Sequence, residues 1–187
     1  MKNHIFFFLF GNLALTLTCS IKADVRLPSI IGDHMVLQKE SNVTIWGWAN
    51  PAEKVQVIPS WDDSITETSA DSGGSWSVSI LTPNAGGPYS MQVAGSNAIE
   101  LKDILIGEVW VCGGQSNMEW SGNHGLQQCK DEAPNANDPN IRFFHIPKTT
   151  ARFPQDRCEG SWEVCTPEEM MRFSAVGYFF GTQLRQK

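Results

Sequence analysis

Apolar and polar residues alternate along the chain from about residue 24 to residue 104. The alternation is clearest in residues 75–80, where Trp76, Val78 and Ile80 are separated by serines. A strand that buries one face and exposes the other has this period. Clusters of Gly, Pro, Asn and Asp separate such runs, which lie at 35–38, 43–48, 54–59, 64–70, 75–81, 89–93 and 98–101. The pattern predicts a small antiparallel β-sandwich over residues 24–104.

The alternation stops at residue 104, and a continuous apolar run follows. Residues 104–112 are apolar except for Gly107 and Glu108, which predicts a strand buried on both faces, as in a parallel sheet. Two glycines then allow a tight turn before Ser116. Open α/β sheets place their chemistry at the carboxyl ends of strands, where the N–H of Ser116 would reach an oxyanion. The spacing alone favours a glycine-rich turn whose serine only satisfies hydrogen bonds, because Gly-Gly-x-Ser is a weak motif.

Residues 105–187 continue as an α/β pattern. A polar loop with a short helix near 126–130 precedes a strand at 141–146 and an irregular segment at 147–160. Thr166, Pro167 and Glu169 form an N-cap, a first-turn proline and a reciprocal glutamate, which predicts a helix. The residues predicted to face the core from it are Met170, Phe173, Val176, Phe180 and Leu184. Two strands and one helix cannot cover a parallel sheet, so we expect a domain truncated at Lys187.

The first 23 residues differ in kind from the rest. Lys2 precedes an apolar run at 5–17 that is too short to span a membrane, and small residues follow. The pattern predicts a signal peptide cleaved between Ser20 and Ala23, and so a secreted or periplasmic protein. An acylated Cys19 is the alternative.

Composition narrows the chemistry further. The chain is 41% hydrophobic and 18% charged with a net charge of −6, and it contains no basic cluster. Nucleic acid and anionic membranes are therefore not expected partners. The spacings of common metal ligands are absent, so we predict no metal site. Cys112 is expected in the core, and a disulfide between Cys158 and Cys165 remains open.

The block Gly-Glu-Val-Trp-Val-Cys-Gly-Gly-Gln-Ser-Asn-Met-Glu-Trp at 107–120 closely resembles the nucleophile block of the sialate O-acetylesterase family, a branch of the SGNH hydrolases. The resemblance covers nearly everything after residue 24. Other matching blocks lie at 27–28, 33–38, 141–144, 147–150, 160–162 and 173–181. It implies a β-sandwich N-terminal domain (24–104), followed by the first part of an SGNH, flavodoxin-like α/β hydrolase domain (105–187).

The resemblance implies that Ser116 is the catalytic nucleophile and that its backbone N–H is one oxyanion donor. The enzymes of this family remove acetyl groups from sugar hydroxyls without a cofactor. They take their base from a downstream Asp-x-x-His motif, which does not occur in this sequence, and their other oxyanion donors from later blocks. His124 is weighed as a substitute base but is not favoured, because nothing in the sequence orients its imidazole. We therefore expect the 187-residue chain to be inactive by itself.

Two alternatives remain open at this point. The resemblance implies an acetylated glycan or sialic acid as the substrate, and an acetylxylan-type esterase would use the same chemistry on a different sugar. The second alternative is a non-catalytic carbohydrate-binding module that uses Trp46 and Trp48, which share one face of their strand. Packing against the core or against the next domain is the competing explanation for these two rings.

Overall fold

A computed structural model describes residues 24–186. The signal peptide predicted for residues 1–23 lies outside the described residues. The strands are β1 (Val36–Gln38), β2 (Asn42–Trp48), β3 (Lys54–Pro59), β4 (Thr66–Ser69), β5 (Ser75–Leu81), β6 (Gly86–Ala94), β7 (Ala98–Gly107), β8 (Asp138–Phe144) and β9 (Trp162–Cys165). The helices are α1 (Ser116–Glu119), α2 (Gln127–Glu132), α3 (Pro167–Arg172) and α4 (Ala175–Arg185), with 3₁₀ turns at Gly122–His124 and Ala133–Asn135.

The strands form three sheets. The largest has the order β1-β7-β6-β3-β4, in which β1 and β7 are parallel and the other neighbours are antiparallel. Strands β2 and β5 pair antiparallel from Asn42↔Leu81 to Trp48↔Ser75, and β8 pairs with β9. All seven strands predicted before residue 104 are present. Strand β7 is longer than the strand predicted at 98–101, because it continues past residue 104, where the alternating pattern stops, to Gly107.

One core is shared by the two sheets of the first region. Strand β5 buries Trp76, Val78 and Ile80 and exposes the serines between them, so the predicted alternation is confirmed. These side chains join Val55 and Val57 of β3 in a single apolar cluster. Burial of an aliphatic side chain contributes about 1.5–3 kcal/mol, so this cluster is the main source of stability in residues 24–107.

A second, smaller core lies between β8, β9 and the helices. Phe143 stacks on Phe173 with ring centroids 4.4 Å apart, and Met170 is fully buried beside them. The predicted start of the helix is confirmed, because the Oγ1 of Thr166 accepts a hydrogen bond from the N–H of Glu169 at 3.2 Å.

The single helix predicted after Thr166 is in fact two helices. Phe173 and Ser174 have extended ψ angles of 169° and 122°, which end α3 at Arg172. The Oγ of Ser174 then caps α4 by accepting a hydrogen bond from the N–H of Gly177 at 3.1 Å. An interruption of this kind shifts the phase of the helical face.

The predicted core stripe is therefore wrong beyond Phe173. Ala175 and Tyr178 are buried in its place, whereas Val176, Phe180 and Leu184 are 51%, 42% and 38% exposed. The hydroxyl of Tyr178 donates to the carboxylate of Glu132 at 3.1 Å. Burial and this hydrogen bond raise the pKa of Tyr178, so the phenol stays neutral.

The four described cysteines are free thiols. Cys165 is buried and Cys158 is exposed, so the disulfide that the sequence left open does not form. Cys112 is exposed, and its predicted place in the core is wrong. Burial raises the pKa of the thiols of Cys129 and Cys165, which keeps both protonated and unreactive.

Glu53 ties together two turns of the first region. Burial by itself would raise its pKa, but its carboxylate accepts hydrogen bonds from the N–H groups of Asn50 at 2.9 Å and Ser96 at 2.5 Å. These hydrogen bonds hold the pKa at about 2, against 4.5 for a free glutamate. A lowered pKa means that the stabilisation is complete above pH 4.5 and is lost as the pH falls towards 2.

We expect Glu53→Gln to lower the free energy of unfolding at pH 7 by about 1–2 kcal/mol, because charge-assisted hydrogen bonds become neutral ones. Urea unfolding at several pH values measures this difference, which should shrink between pH 4.5 and 2. Glu100→Gln, at an exposed pair with Lys102, is the control. An equal loss for both variants, or a loss that does not depend on pH, would contradict the assignment.

Candidate active site

The segment that leads to Ser116 is exposed and irregular. Strand β7 ends at Gly107, and no described strand pairs with residues 108–112. The side chains of Val109, Trp110 and Val111 are 40%, 57% and 94% exposed. The prediction of a doubly buried strand over residues 104–112 is therefore wrong after Gly107, since no described strand lies beside residues 108–112 to bury both of their faces.

The turn before Ser116 does not depend on the special freedom of glycine. Neither Gly113 nor Gly114 has a positive φ. A Cβ on Gly113 would meet no atom within 4 Å, and one on Gly114 would lie 3.2 Å from the Cβ of Met118. The chain turns instead at Gln115, which has φ −111° and ψ −152° and is the N-cap of α1.

Ser116 is the first residue of α1 and is exposed. The carbonyl oxygen of Gln115 accepts hydrogen bonds from the N–H groups of Met118 at 2.9 Å and Glu119 at 3.3 Å. The N–H groups of Ser116 and Asn117 precede these bonds and remain available, as at any helix start. Within residues 24–186 the Oγ of Ser116 has no hydrogen-bond partner. The serine is therefore presented outward, with free donors beside its hydroxyl.

Hydrogen bonds from the start of helix α4 hold α1 in position. The Oγ of Ser174 donates to the Sδ of Met118 at 3.2 Å, and the N–H of Ala175 donates to the carbonyl of Trp120 at 2.9 Å. Ser121 and Ser174 also form an isolated β-bridge. The same residue, Ser174, thus caps α4 and fixes the position of α1.

The exposed segment 108–112 lies along α4. The rings of Trp110 and Phe180 meet edge to face with centroids 5.1 Å apart. The sulfur of Cys112 lies 3.3 Å from the position that a Cβ on Gly177 would take. A larger residue at 177 would push this segment away from the helix.

Gln38 fixes the other end of the segment. Its amide donates to the carboxylate of Glu108 at 2.9 Å, and its carbonyl accepts from the N–H of Val109 at 2.9 Å. The N–H of Lys39 donates to the carbonyl of Gly107 at 2.8 Å. Hydrogen bonds from Gln38 and Lys39 lower the pKa of Glu108 and keep it ionised. One end of β1 therefore sets the direction in which the chain leaves β7.

We expect Gln38→Ala to remove the protection of the Val109 amide against hydrogen exchange and to cost about 1 kcal/mol of stability, because two hydrogen bonds are lost. Exchange measured residue by residue by NMR tests this. Gln56→Ala is the matched control, since that amide binds only Glu67 at the sheet surface. Unchanged exchange at Val109 would show that Gln38 does not hold the segment.

An ionic cluster around the buried guanidinium of Arg142 connects the first region to β8. The Oδ2 of Asp103 lies 2.8 Å from the Nη2 of Arg142 and 2.7 Å from the Nδ1 of His34. The side chain of Arg142 is only 2% exposed, and its Nε and Nη1 have no partner within residues 24–186. Asp103, whose side chain is 33% exposed, is the only described carboxylate within ion-pair distance of this buried guanidinium.

None of the described histidines is hydrogen-bonded to Ser116. His124 is oriented, contrary to expectation: its Nδ1 accepts from the N–H of Ser121 at 3.1 Å, and its ring stacks on Trp120 at 6.0 Å. These contacts belong to the capping of a 3₁₀ turn. His145 lines a separate pocket of about 310 Å³ with Phe143 and Glu163. Neither histidine is hydrogen-bonded to Ser116.

The charged groups close to Ser116 in sequence include Glu119, which is paired. Glu119 forms an ion pair with Lys148, and the hydrogen bond from Lys148 lowers the pKa of Glu119. Across residues 24–186, no group of three His, Cys, Asp or Glu side chains is arranged to hold a metal ion. No helix in the same range has the length and apolar character needed to cross a membrane.

Sequence reasoning missed Gln38, which holds the segment before Ser116, and the ion pair of Asp103 with Arg142, which joins β7 to β8. Gln38 and Arg142 lie inside blocks that carry the family resemblance, 33–38 and 141–144, and this was the available signal. Their partners are 39 to 71 residues away in sequence, so spacing could not have paired them.

Comparisons with known proteins identify relatives of the chain. The chain is 32% identical over 178 residues to the sialate O-acetylesterase of Homo sapiens, covering 85% of this chain and 34% of that protein. It is 32% identical over 131 residues to the enzyme of Mus musculus, covering 65% of this chain and 24% of that protein. No protein-family model matches. The chain thus spans between a quarter and about a third of the length of these relatives.

A solved structure extends the comparison to the fold. A carbohydrate acetylesterase from Xanthomonas citri superposes with a TM-score of 0.82 at 36% identity, covering 87% of this chain and 37% of that one. By fold and by sequence the chain is similar to proteins of the carbohydrate esterase class. Within that class, the chain belongs to the sialate O-acetylesterase family.

Proposed function

We propose that Ser116 is the nucleophile of an esterase that removes O-acetyl groups from glycans. Its hydroxyl attacks the acetyl carbonyl, backbone N–H groups that include its own stabilise the oxyanion, and water releases acetate from the acyl-enzyme. This reaction requires no cofactor. The observation that carries the proposal is the outward, unpartnered hydroxyl of Ser116 beside free N–H groups, in the block that resembles the family's nucleophile.

The proposed architecture is a β-sandwich followed by the first part of an α/β hydrolase domain, divided near residue 104. Two sheets that share one core support the first part of this proposal. A separate core between β8, β9 and the helices supports the second. Because β7 continues to Gly107, the proposed boundary between the two parts lies just after that strand.

The exposed apolar surface beside Ser116 belongs in this proposal to the interior of a complete hydrolase domain. Val111, Phe180 and Leu184 are 94%, 42% and 38% exposed, and large apolar side chains exposed together are typical of a surface that another part of a protein covers. Relatives about three times as long have the additional chain that would cover it. The base and the remaining oxyanion donors would come from that additional chain, since none is bound to Ser116 here.

A chain of residues 24–187 is therefore expected to hydrolyse p-nitrophenyl acetate no faster than its own Ser116→Ala variant. Without a base to take its proton, a serine hydroxyl is a weak nucleophile. Release of p-nitrophenol measures the rate of both proteins. Robust turnover that depends on Ser116 would mean that a residue in this range, such as His124, acts as the base.

The place of action follows from the same proposal. An export signal in residues 1–23 would deliver the enzyme to the periplasm or the cell exterior, where acetylated glycans are found. N-terminal sequencing of the mature protein tests this directly. A mature chain that begins near residue 24 supports export, and one that retains Met1 contradicts it.

The substrate is tested with the protein expressed from its complete coding sequence. O-acetylated sialic acid and acetylated xylo-oligosaccharides are compared by the acetate that each releases. Release from either confirms the esterase, and the ratio of the two kcat/KM values identifies the sugar. Absence of release from both, in a folded protein, would overturn the proposed function.

A further inference from the structure

The outer face of the β2–β5 sheet carries two half-buried tryptophans. The ring centroids of Trp46 and Trp48 are 5.3 Å apart, with an angle of 77° between their planes. Their partners across the ladder are Ser77 and Ser75. Together with Asp71 and Asp156, these residues line an open cleft of about 580 Å³, here called the tryptophan cleft. Ser116 does not line it.

The two rings differ in their surroundings. Trp46 packs against the main core, which explains its burial without any ligand. Trp48 is not part of that packing, and the guanidinium of Arg157 lies 4.3 Å from the centre of its ring. Arg157 is exposed, lies in the irregular segment 147–160 and has no ion pair within residues 24–186. A flat group with no anionic partner thus covers the ring of Trp48.

The hydrogen-bonding groups around the rings are largely unused. The Oδ1 of Asp71 accepts from the N–H groups of Gly73 at 2.8 Å and Ser75 at 2.9 Å, which fixes the carboxylate and leaves its other oxygen unpaired. The carboxylate of Asp156 has no partner among the described residues. Behind Gly47 lies Trp76, whose buried indole N–H also has no partner there. The cleft therefore combines an aromatic surface with two carboxylates that have unpaired oxygens among the described residues, of which that of Asp71 is fixed.

We propose that the tryptophan cleft is a non-catalytic binding site for a neutral oligosaccharide. One sugar ring stacks on Trp48 in the place of Arg157, because the apolar face of a pyranose fits an indole. Its hydroxyl groups donate to the carboxylates of Asp71 and Asp156. These two acids repel an anionic sugar such as sialic acid, so the site selects uncharged chains. The assignment is independent of the chemistry at Ser116.

The test is a calorimetric titration of the full chain with xylohexaose, which is uncharged and carries no acetyl group to hydrolyse. We expect saturable binding that Trp48→Ala weakens about tenfold or more and Asp156→Asn weakens severalfold. Arg157→Ala should tighten binding, since it removes the competitor for the ring. Phe153→Ala, an exposed aromatic of the same segment, is the matched control and should have no effect.

The outcomes separate this site from the proposed esterase. Ser116→Ala should bind xylohexaose as tightly as the wild type does. The binding proposal can therefore be tested even if the esterase proposal is wrong, and the esterase proposal can be tested even if the cleft binds no sugar. Circular dichroism checks the fold of Trp48→Ala, and the surface variants at 156 and 157 test the site if that variant unfolds. No binding at millimolar sugar, weaker binding after Arg157→Ala, or tighter binding of sialyllactose than of xylohexaose would overturn the proposal.

Discussion

Replacing Ser116 with alanine is expected to lower kcat for acetate release by about 10⁴-fold or more in the protein expressed from its complete coding sequence. The acyl-enzyme cannot form without the hydroxyl, and only the oxyanion donors and the binding of the sugar then assist attack by water. KM should change little, because an exposed hydroxyl with no partner contributes little to ground-state binding.

A matched variant distinguishes lost chemistry from lost structure. Ser174→Ala removes a serine that supports α1 and caps α4, so it should cost about 1 kcal/mol of stability and leave the acylation step in place. Mass spectrometry after rapid quenching should find acetyl on Ser116 in the wild type and in Ser174→Ala. A Ser116→Ala protein that keeps more than a tenth of wild-type kcat would exclude Ser116 as the nucleophile.

The strands of the first region were predictable because their burial is decided locally. In β5 a period of two places every apolar residue on one face, and the serines between them cannot be buried without partners. The cap at Thr166 was predictable for the same reason, since its hydrogen bond spans three residues. Nothing distant had to be known in either case.

Residues 104–112 show where the same reasoning fails. A continuous apolar run predicts burial on both faces, but burial requires neighbouring strands, and none lies beside residues 108–112 in the described chain. The buried face of α4 was predicted wrongly for a different reason. Ser174 caps a new helix that begins at Ala175, and the sequence Ser-Ala-Val-Gly at 174–177 permits such a cap without requiring one.

The sequence predicts the central residue of the candidate site, but not the residues that hold it in position. Ser116 was identified from one contiguous block, whereas Gln38 reaches Glu108 and Val109 across about 70 residues of sequence. Contacts at that separation depend on the parallel pairing of β1 with β7, which places the end of β1 beside Gly107. Local patterns indicate that β1 is a strand, but they do not indicate its partner.

Replacing Asp103 is expected to lower the stability of the protein strongly. We expect Asp103→Ala to lower the free energy of unfolding by about 3–5 kcal/mol, because the buried guanidinium of Arg142 loses the only carboxylate in residues 24–186 that pairs with it. Part of this cost is backbone strain, since Asp103 has a φ of 53°. Asp63→Ala, at an exposed turn with a φ of 52°, measures that part separately.

The double variant Asp103→Ala/Arg142→Met then decides between a buried charge and a lost contact. If an unpaired charge causes the loss, the apolar methionine should restore most of the stability, because replacing both ionic partners avoids the desolvation cost. If Asp103 acts only through its hydrogen bond to His34, the double variant should be no more stable than Asp103→Ala. Urea unfolding of the four proteins gives the coupling energy directly. A coupling near zero would mean that Arg142 is compensated by a group other than Asp103 and that the ionic link between the two regions is not what holds them together.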